Sequence, residues 1–266
     1  MKIHEKVSAP RVWAVLTIRA MFFSLMLNSA WAQSTAAAET MASLTLPEHS
    51  ATASRHPGRA NFAQELASQA SRDMADWVVD SGDNRLQPFV IVDKHQAKVF
   101  VFDAQGRLRG AAPALLGLAI GDDSVPGIGQ RKLSSIRPEE RTTPAGRFVA
   151  SLDRNLKGEE ILWVDYETAI SMHRVITSNA KERRAQRLAS ASLLDKRISY
   201  GCINVPVNFY NKVLSPAFTG TQGIVYVLPE TRSAREVFGS YDVGERAPLQ
   251  AANPSHPLTQ AVQEVR

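Results

Sequence analysis

The chain has 266 residues, 44% of them hydrophobic, and a formal net charge of +5. That is enough apolar content to bury a full core and enough length for one or two domains. Four basic residues, Lys2, Lys6, Arg11 and Arg19, lie with Glu5 in the first 32 positions, so the rest of the chain carries only +2, too balanced for a nucleic-acid binder that tracks phosphates with a concentrated basic face.

The basic start precedes an apolar run at 20–27 and the A-x-A pattern Ala30-Trp31-Ala32. Together they predict a cleaved secretory leader over 1–32, hence a periplasmic protein that begins near Gln33. An uncleaved inner-membrane anchor is the competing reading, but Arg19 interrupts the longer apolar stretch and leaves it too short to span comfortably. Residues 33–60 are rich in Ala, Ser, Thr and Pro without a sustained period and read as a flexible linker. Over 61–82, Phe62, Leu66, Ala70, Met74, Trp77 and Val78 recur at helical spacing, with Asn61 and Gln64 as start signals and Gly82 as the stop. This predicts an amphipathic helix that packs on the following domain.

Residues 89–92 and 99–102 are short β-rich runs joined by a polar turn that contains His95, and they predict a hairpin. One or two strands follow over 108–120, interrupted by Pro113. The stretch from Gly121 to Arg141 is polar and turn-rich, a long loop of the kind that is usually functional or disordered. Its Gly127-x-Gly129 lacks the third glycine and the following helix of a nucleotide fingerprint. Strands are expected at 147–150, 161–164 and 169–175. The segment 178–190 turns helical and crowds Lys181, Arg183, Arg184 and Arg187 together, either a solvated face or a lid whose arginines meet carboxylates. A helix over 207–214, a buried strand over 224–228 and a short helix capped by Ser233 and Glu236 complete the pattern. The tail, 230–266, frays through Pro248, Pro254 and Pro257. Many short strands with few helices predict a mainly β, β-rich mixed α+β domain over 88–229 with no internal repeat.

The only cysteine is Cys202. It cannot form an internal disulfide, and an unpaired thiol in an exported protein is either buried or used. Gly201 precedes it and a short apolar step leads to a helix with Pro206 suited to the first position. A thiol ahead of a helix N-terminus is held towards thiolate, and the N–H groups of Gly201 and Cys202 are candidates for an oxyanion hole. The plain alternative is a small buried hydrophobe. Of six histidines, His4 falls in the leader, His49 and His56 in the linker, His256 in the tail and His95 in a turn. His173 remains as the candidate base, and a Cys/His pair supplies a nucleophile and a proton for a leaving amine. Ser178-x-x-Lys181 matches an acylating-serine motif but lacks its S-D-N and K-T-G partners. Scattered histidines and one cysteine offer no metal site, and no cofactor is expected.

Ser199-Tyr200-Gly201-Cys202-Ile203-Asn204 resembles the S/T-H-G-C-x-R/N signature of the L,D-transpeptidase (YkuD-type) catalytic domain family, with that family's upstream histidine at Ser171-Met172-His173. Thr143-Pro144-Ala145-Gly146-Arg147-Phe148 is similar to its T-P-x-G-x-F/Y strand entry. The resemblance covers about Pro88 to Leu228. Tyr200 stands where the family has a second histidine, Arg174 where a small residue often follows the first, and the stretch from His173 to Ser199 is longer than usual.

The resemblance implies an L,D-transpeptidase-like β-sandwich with short helices and a lid-like insertion. It implies a peptidoglycan L,D-transpeptidase in which Cys202 is the nucleophile and His173 the proton donor and acceptor, oriented by the carbonyl of Arg174 or a neighbour. Gly201 and Cys202 supply oxyanion N–H groups, and Ser199, Tyr200, Asn204 and Arg174 bind substrate or brace the loop. The implied partners are peptidoglycan stem peptides, with a second stem or a lipoprotein as acceptor. An L,D-carboxypeptidase and a catalytically silent wall-binding protein of the same fold are the alternatives.

Overall fold

The computed structural model describes residues 58–245. The expected leader, most of the expected linker and the end of the tail lie outside them. Chain order is α1 (Gln69–Ser81), β1 (Phe89–Asp93), β2 (Lys98–Phe102), β3 (Leu108–Pro113), β4 (Leu116–Gly117), β5 (Gly146–Arg154), β6 (Glu160–Asp165), β7 (Ile170–Arg174), α2 (Arg184–Ala189), β8 (Arg197–Ser199), β9 (Ile203–Val205), a helix made of α3 (Val207–Phe209), a π-helical turn (Tyr210–Leu214) and α4 (Ser215–Phe218), then β10 (Gly223–Val227) and α5 (Ala234–Phe238). The fold is β-rich: a mixed eight-stranded sheet in the order β3-β2-β1-β10-β5-β6-β7-β9, a two-stranded parallel sheet β4-β8, and short helices.

Side chains alternate across a strand, and here both faces are covered. Val90, Val92, Val99, Val101, Val225 and Val227 enter one core with Leu162, Met172, Ile203, Val205, Tyr210 and Leu214. Their neighbours Phe89, Ile91, Phe100, Phe102, Ile224 and Tyr226 point the other way, into a second core closed by Met74, Trp77 and Val78 of α1. Burial of each such side chain contributes about 1.5–3 kcal/mol before entropy is charged against it. The two layers expected of a sandwich therefore come from one continuous sheet, whose two halves share the first core.

The expected helix over 61–82 is shorter. It starts at Gln69, because Ser68, not Asn61, accepts the Ser71 N–H at the N-cap, while Gly82 ends it at φ 68°. Asn61 instead pairs with the 106–108 turn, its N–H donating to Gly106 O at 2.8 Å and its carbonyl accepting from Leu108 N–H at 2.9 Å. Phe62 is buried edge-on against Phe100 and Phe102, whereas Leu66 is exposed. Helical spacing over 61–68 was met by sheet contacts with a stronger claim on the backbone.

The loop from 121 to 141 forms three single 3-10 turns and is tied down at its root by a buried ion cluster. Lys94, with no exposed side-chain surface, donates to Asp122 Oδ1 at 2.9 Å, Gly121 O at 2.6 Å and Thr143 O at 3.0 Å. Glu230, just past β10, lies 3.5 Å from the same ammonium and pairs with Arg197 of β8. These contacts join β1, β8, β10 and the start of the loop.

Candidate active site

β7 and β9 lie side by side and parallel, with Met172 opposite Ile203 and His173 opposite Asn204. That pairing removes the 29-residue separation in sequence between His173 and Cys202, which ends the β8–β9 loop. Cys202 is partly buried. Its sulfur lies 3.6 Å from Ser171 Oγ and 3.7 Å from the carbonyl oxygen of Ala169.

His173 Nδ1 lies 2.8 Å from the carbonyl oxygen of Arg174. A carbonyl only accepts, so the proton sits on Nδ1 and Nε2 is left for the thiol. Burial pushes the Cys202 thiol up, but the hydrogen bond and charge of His173, followed by donors from Ser171, bring it below the usual thiol value. For His173, burial pushes down; the Cys202 hydrogen bond and charge and the Arg174 carbonyl raise it above the usual imidazole value, opposed by Arg184. The two shifts run in opposite directions and favour thiolate beside imidazolium.

The expected cause of the lowered thiol value was a helix N-terminus. That is corrected by the structure: β9 stands between Cys202 and the helix, which begins at Val207 with Pro206 as its N-cap. The imidazole and Ser171 do the lowering. Of the two expected oxyanion donors, the Gly201 N–H donates to Ser199 Oγ at 3.1 Å within the loop itself. Gly201 is required by space and backbone. Its φ is 126°, and an added Cβ would lie 2.6 Å from Ile170 Cδ1 and 2.7 Å from Thr142 O, a position closed to other residues.

Ser199 and Asn204 brace the loop from either side. Ser199 Oγ donates to Cys202 O at 2.6 Å and Asn204 Nδ2 to the same oxygen at 3.2 Å. Asn204 Oδ1 in turn accepts from Arg184 at 2.7 Å, so the segment between β7 and β8 is strapped to β9. The basic run therefore divides: Arg184 and Arg187 are held internally, while Lys181 and Arg183 face solvent. Lys196 is buried and donates to Arg187 O and Leu188 O at 3.0 and 2.8 Å, satisfying carbonyls at the end of α2. Arg174 braces as well. It donates to Asn211 Oδ1 at 2.7 Å and Glu160 O at 2.9 Å, and its guanidinium lies 4.1 Å from the Tyr210 ring centre. The Tyr200 ring takes the Arg141 guanidinium at 4.0 Å, which ties the cysteine loop to the end of the 121–141 loop.

Two side chains escaped the sequence reading. Thr143, read only as a strand entry, is fully buried and links the site to β4: its hydroxyl donates to Gly201 O at 2.7 Å and accepts from Gly117 N–H at 2.8 Å. Ser171 touches the sulfur. Its signal was its place two residues before His173, which in a strand means the same face.

The imidazole and the sulfur open to different spaces. His173 and Ser171 line a cleft of about 760 Å³ with Trp163, Arg174 and the 154–160 turn. Cys202 and Tyr200 line a smaller cavity of about 80 Å³ beneath Ile128, Leu133 and Ile136 of the 121–141 loop. Among the described residues, no group of three or more His, Cys, Asp or Glu side chains is arranged to hold a metal ion.

No family model matches the sequence, and no curated protein matches it. Among solved structures the chain is similar to the helical cell shape determining protein Pgp2 from Campylobacter jejuni, at 16% identity over 66% of this chain and 59% of that one, with a TM-score of 0.40. It is similar to an L,D-transpeptidase from Mycobacterium tuberculosis H37Rv at 15% identity, over 53% of this chain and 57% of that one, TM-score 0.32. The catalytic domain of the E. faecium L,D-transpeptidase matches at 17% identity, over 53% of this chain and 97% of that one, TM-score 0.30. The chain spans 62% and 59% of the length of the two Pgp2 structures it matches.

Proposed function

We propose that this chain is a peptidoglycan L,D-transpeptidase, exported to the periplasm behind a cleaved leader. The observation that carries the reading is the β7–β9 register, which sets His173 beside the Cys202 loop with its tautomer fixed by the Arg174 carbonyl, so that each group shifts the other towards thiolate and imidazolium.

The Cys202 thiolate attacks the carbonyl between the third residue, a diamino acid, and the terminal D-alanine of a stem tetrapeptide. The carbonyl oxygen takes up the negative charge and meets the Cys202 N–H. As the intermediate collapses, His173 Nε2 gives its proton to the departing amine, D-alanine leaves, and a thioester joins the stem to sulfur. An amine from a second stem or a lipoprotein then attacks the thioester and gives up a proton to the now neutral His173. A new amide forms and the thiolate is restored. Water in place of the amine makes the same site an L,D-carboxypeptidase.

The test is intact mass after incubation with a carbapenem, followed by digestion of muropeptides. A covalent adduct that disappears in Cys202→Ala and is lost or slowed in His173→Ala is expected, with cross-linked dimers among the products. Tripeptides alone would select the carboxypeptidase. An unmodified mass would overturn both and leave a silent wall-binding protein.

A further inference from the structure

The parallel register of β7 and β9 places Ser171 one step before Met172, alongside Cys202, and strand alternation puts it on the same face as His173. The sulfur is thus bordered by two side chains of one strand. Ser171 is 5% exposed, and among the described residues the Cys202 sulfur, 3.6 Å away, is the only hydrogen-bond partner of its hydroxyl. A buried hydroxyl is ordinarily matched to a better acceptor than a neutral thiol. The arrangement makes sense when the sulfur is charged, because an anionic sulfur is a strong acceptor.

We propose that Ser171 is a catalytic residue whose hydroxyl donates a hydrogen bond to the Cys202 thiolate. The proposal rests on Cys202 being the nucleophile. In the neutral form the S–H has two acceptors to choose between, His173 and Ala169 O at 3.7 Å, while the Ser171 hydroxyl donates to sulfur. When the thiol proton passes to His173, the Ala169 contact loses its hydrogen and the Ser171 O–H···S⁻ bond strengthens. Ser171 keeps its own proton throughout.

Of the other charged groups, His173 on β7 acts on the sulfur, and Arg184 on α2, paired with Glu182, acts on His173. From the 121–141 loop, Arg131, paired with Glu140, lines the cavity that Cys202 lines, and Arg141 stacks on the neighbouring Tyr200. None of these reaches the sulfur through Ser171, so removing the hydroxyl leaves them in place.

The experiment measures the rate of iodoacetamide alkylation of the full chain against pH, which needs no substrate. Ser171→Ala is expected to raise the midpoint by about one pH unit with thermal unfolding unchanged, while Ser171→Thr, which keeps the hydroxyl, stays at the wild-type midpoint. Should Ser171→Ala unfold, Ser171→Gly carries the same test. A wild-type midpoint in the hydroxyl-free variant overturns the proposal, and so does an equal rise in Ser171→Thr, which would mark a packing effect. His173→Gln separates this idea from the one beneath it. A shift there without one at Ser171 removes only the serine's role, whereas no shift at His173 removes the reactive pair itself.

Discussion

His173 Nδ1 sits 2.8 Å from the carbonyl oxygen of Arg174, and that contact between neighbours in the chain decides which ring nitrogen faces Cys202. The carbonyl belongs to a residue whose own side chain is held by Asn211, Glu160 and the Tyr210 ring. A large residue after the histidine is accommodated because it is the main chain, not the side chain, that orients the ring.

The pair makes a pH prediction whose two limbs have opposite signs. A lowered thiol value means that thiolate persists below the ordinary thiol range and is lost as pH falls through the lowered value. A raised imidazole value means that the proton needed by the leaving amine persists above the ordinary range and is lost as pH rises through it. Alkylation should therefore rise with pH at an unusually low midpoint, while acyl transfer should be bell-shaped, its limbs belonging to the coupled pair. His173→Gln should move the alkylation midpoint upwards and reduce transfer by roughly 10²–10⁴-fold. A profile identical to wild type would exclude an imidazole partner.

Gly201→Ala should cost stability as well as reactivity. The new Cβ meets a main-chain oxygen at 2.7 Å and the backbone is held at φ 126°, a strain of about 1–3 kcal/mol. Relief requires the loop to shift and break the Ser199 and Thr143 bonds. Urea unfolding combined with the alkylation rate checks this: a variant as stable and as reactive as wild type would contradict the close approach.

Lys94→Met leaves Asp122 without its buried cation and weakens the charge balance at Glu230. Breaking such a buried pair from one side costs about 3–5 kcal/mol, readable as a lower urea midpoint; a loss under about 1 kcal/mol would mean the cluster is solvated. Acid should act on the same cluster. Burial pushes the Asp122 carboxyl up, but bonds from Thr231, the Glu230 N–H and Lys94 hold it well below the usual carboxylate range. Its contribution is therefore complete above the unfolded carboxylate value of about 3.9 and is lost only in strong acid.

Tyr200→Ala removes the ring beneath the Arg141 guanidinium, an interaction of about 0.5–1 kcal/mol at a partly exposed site. Amide hydrogen exchange over 131–141 should speed up by roughly two- to fivefold, with β5 and β6 unchanged. Exchange that stays at the wild-type rate would show that the ring adds nothing to the Arg131–Glu140 pair and the Arg141 bonds to Ile136 O in holding the loop.

Much of the sheet was legible because its strands are bounded by turns and carry β-branched and aromatic residues. The hairpin of β1 and β2, the strand bearing His173, the closing strand and the Ser233/Glu236 capping box could all be placed from local pattern. The start of α1 could not. Phe62 fits a helical stripe as well as it fits the edge of a sheet, and only the Asn61 bonds to the 106–108 turn separate the two. At the site, a lone cysteine and the elimination of other histidines singled out Cys202 and His173 as candidates, and the β7–β9 register brings their segments side by side. The roles of Thr143, Ser171 and Arg184 were hidden because each acts on a partner that is distant in sequence.

The sequence by itself determined which side chains can carry charge, donate protons or fill a β face, since those properties reside in each residue and its immediate neighbours. Only the tertiary structure decided what lowers the thiol, because the β7–β9 register brings Ser171 and His173 to the sulfur and puts a strand where a helix end was expected. Electrostatic effects of this kind depend on separations of a few ångströms, and here those separations are fixed by hydrogen bonds between strands.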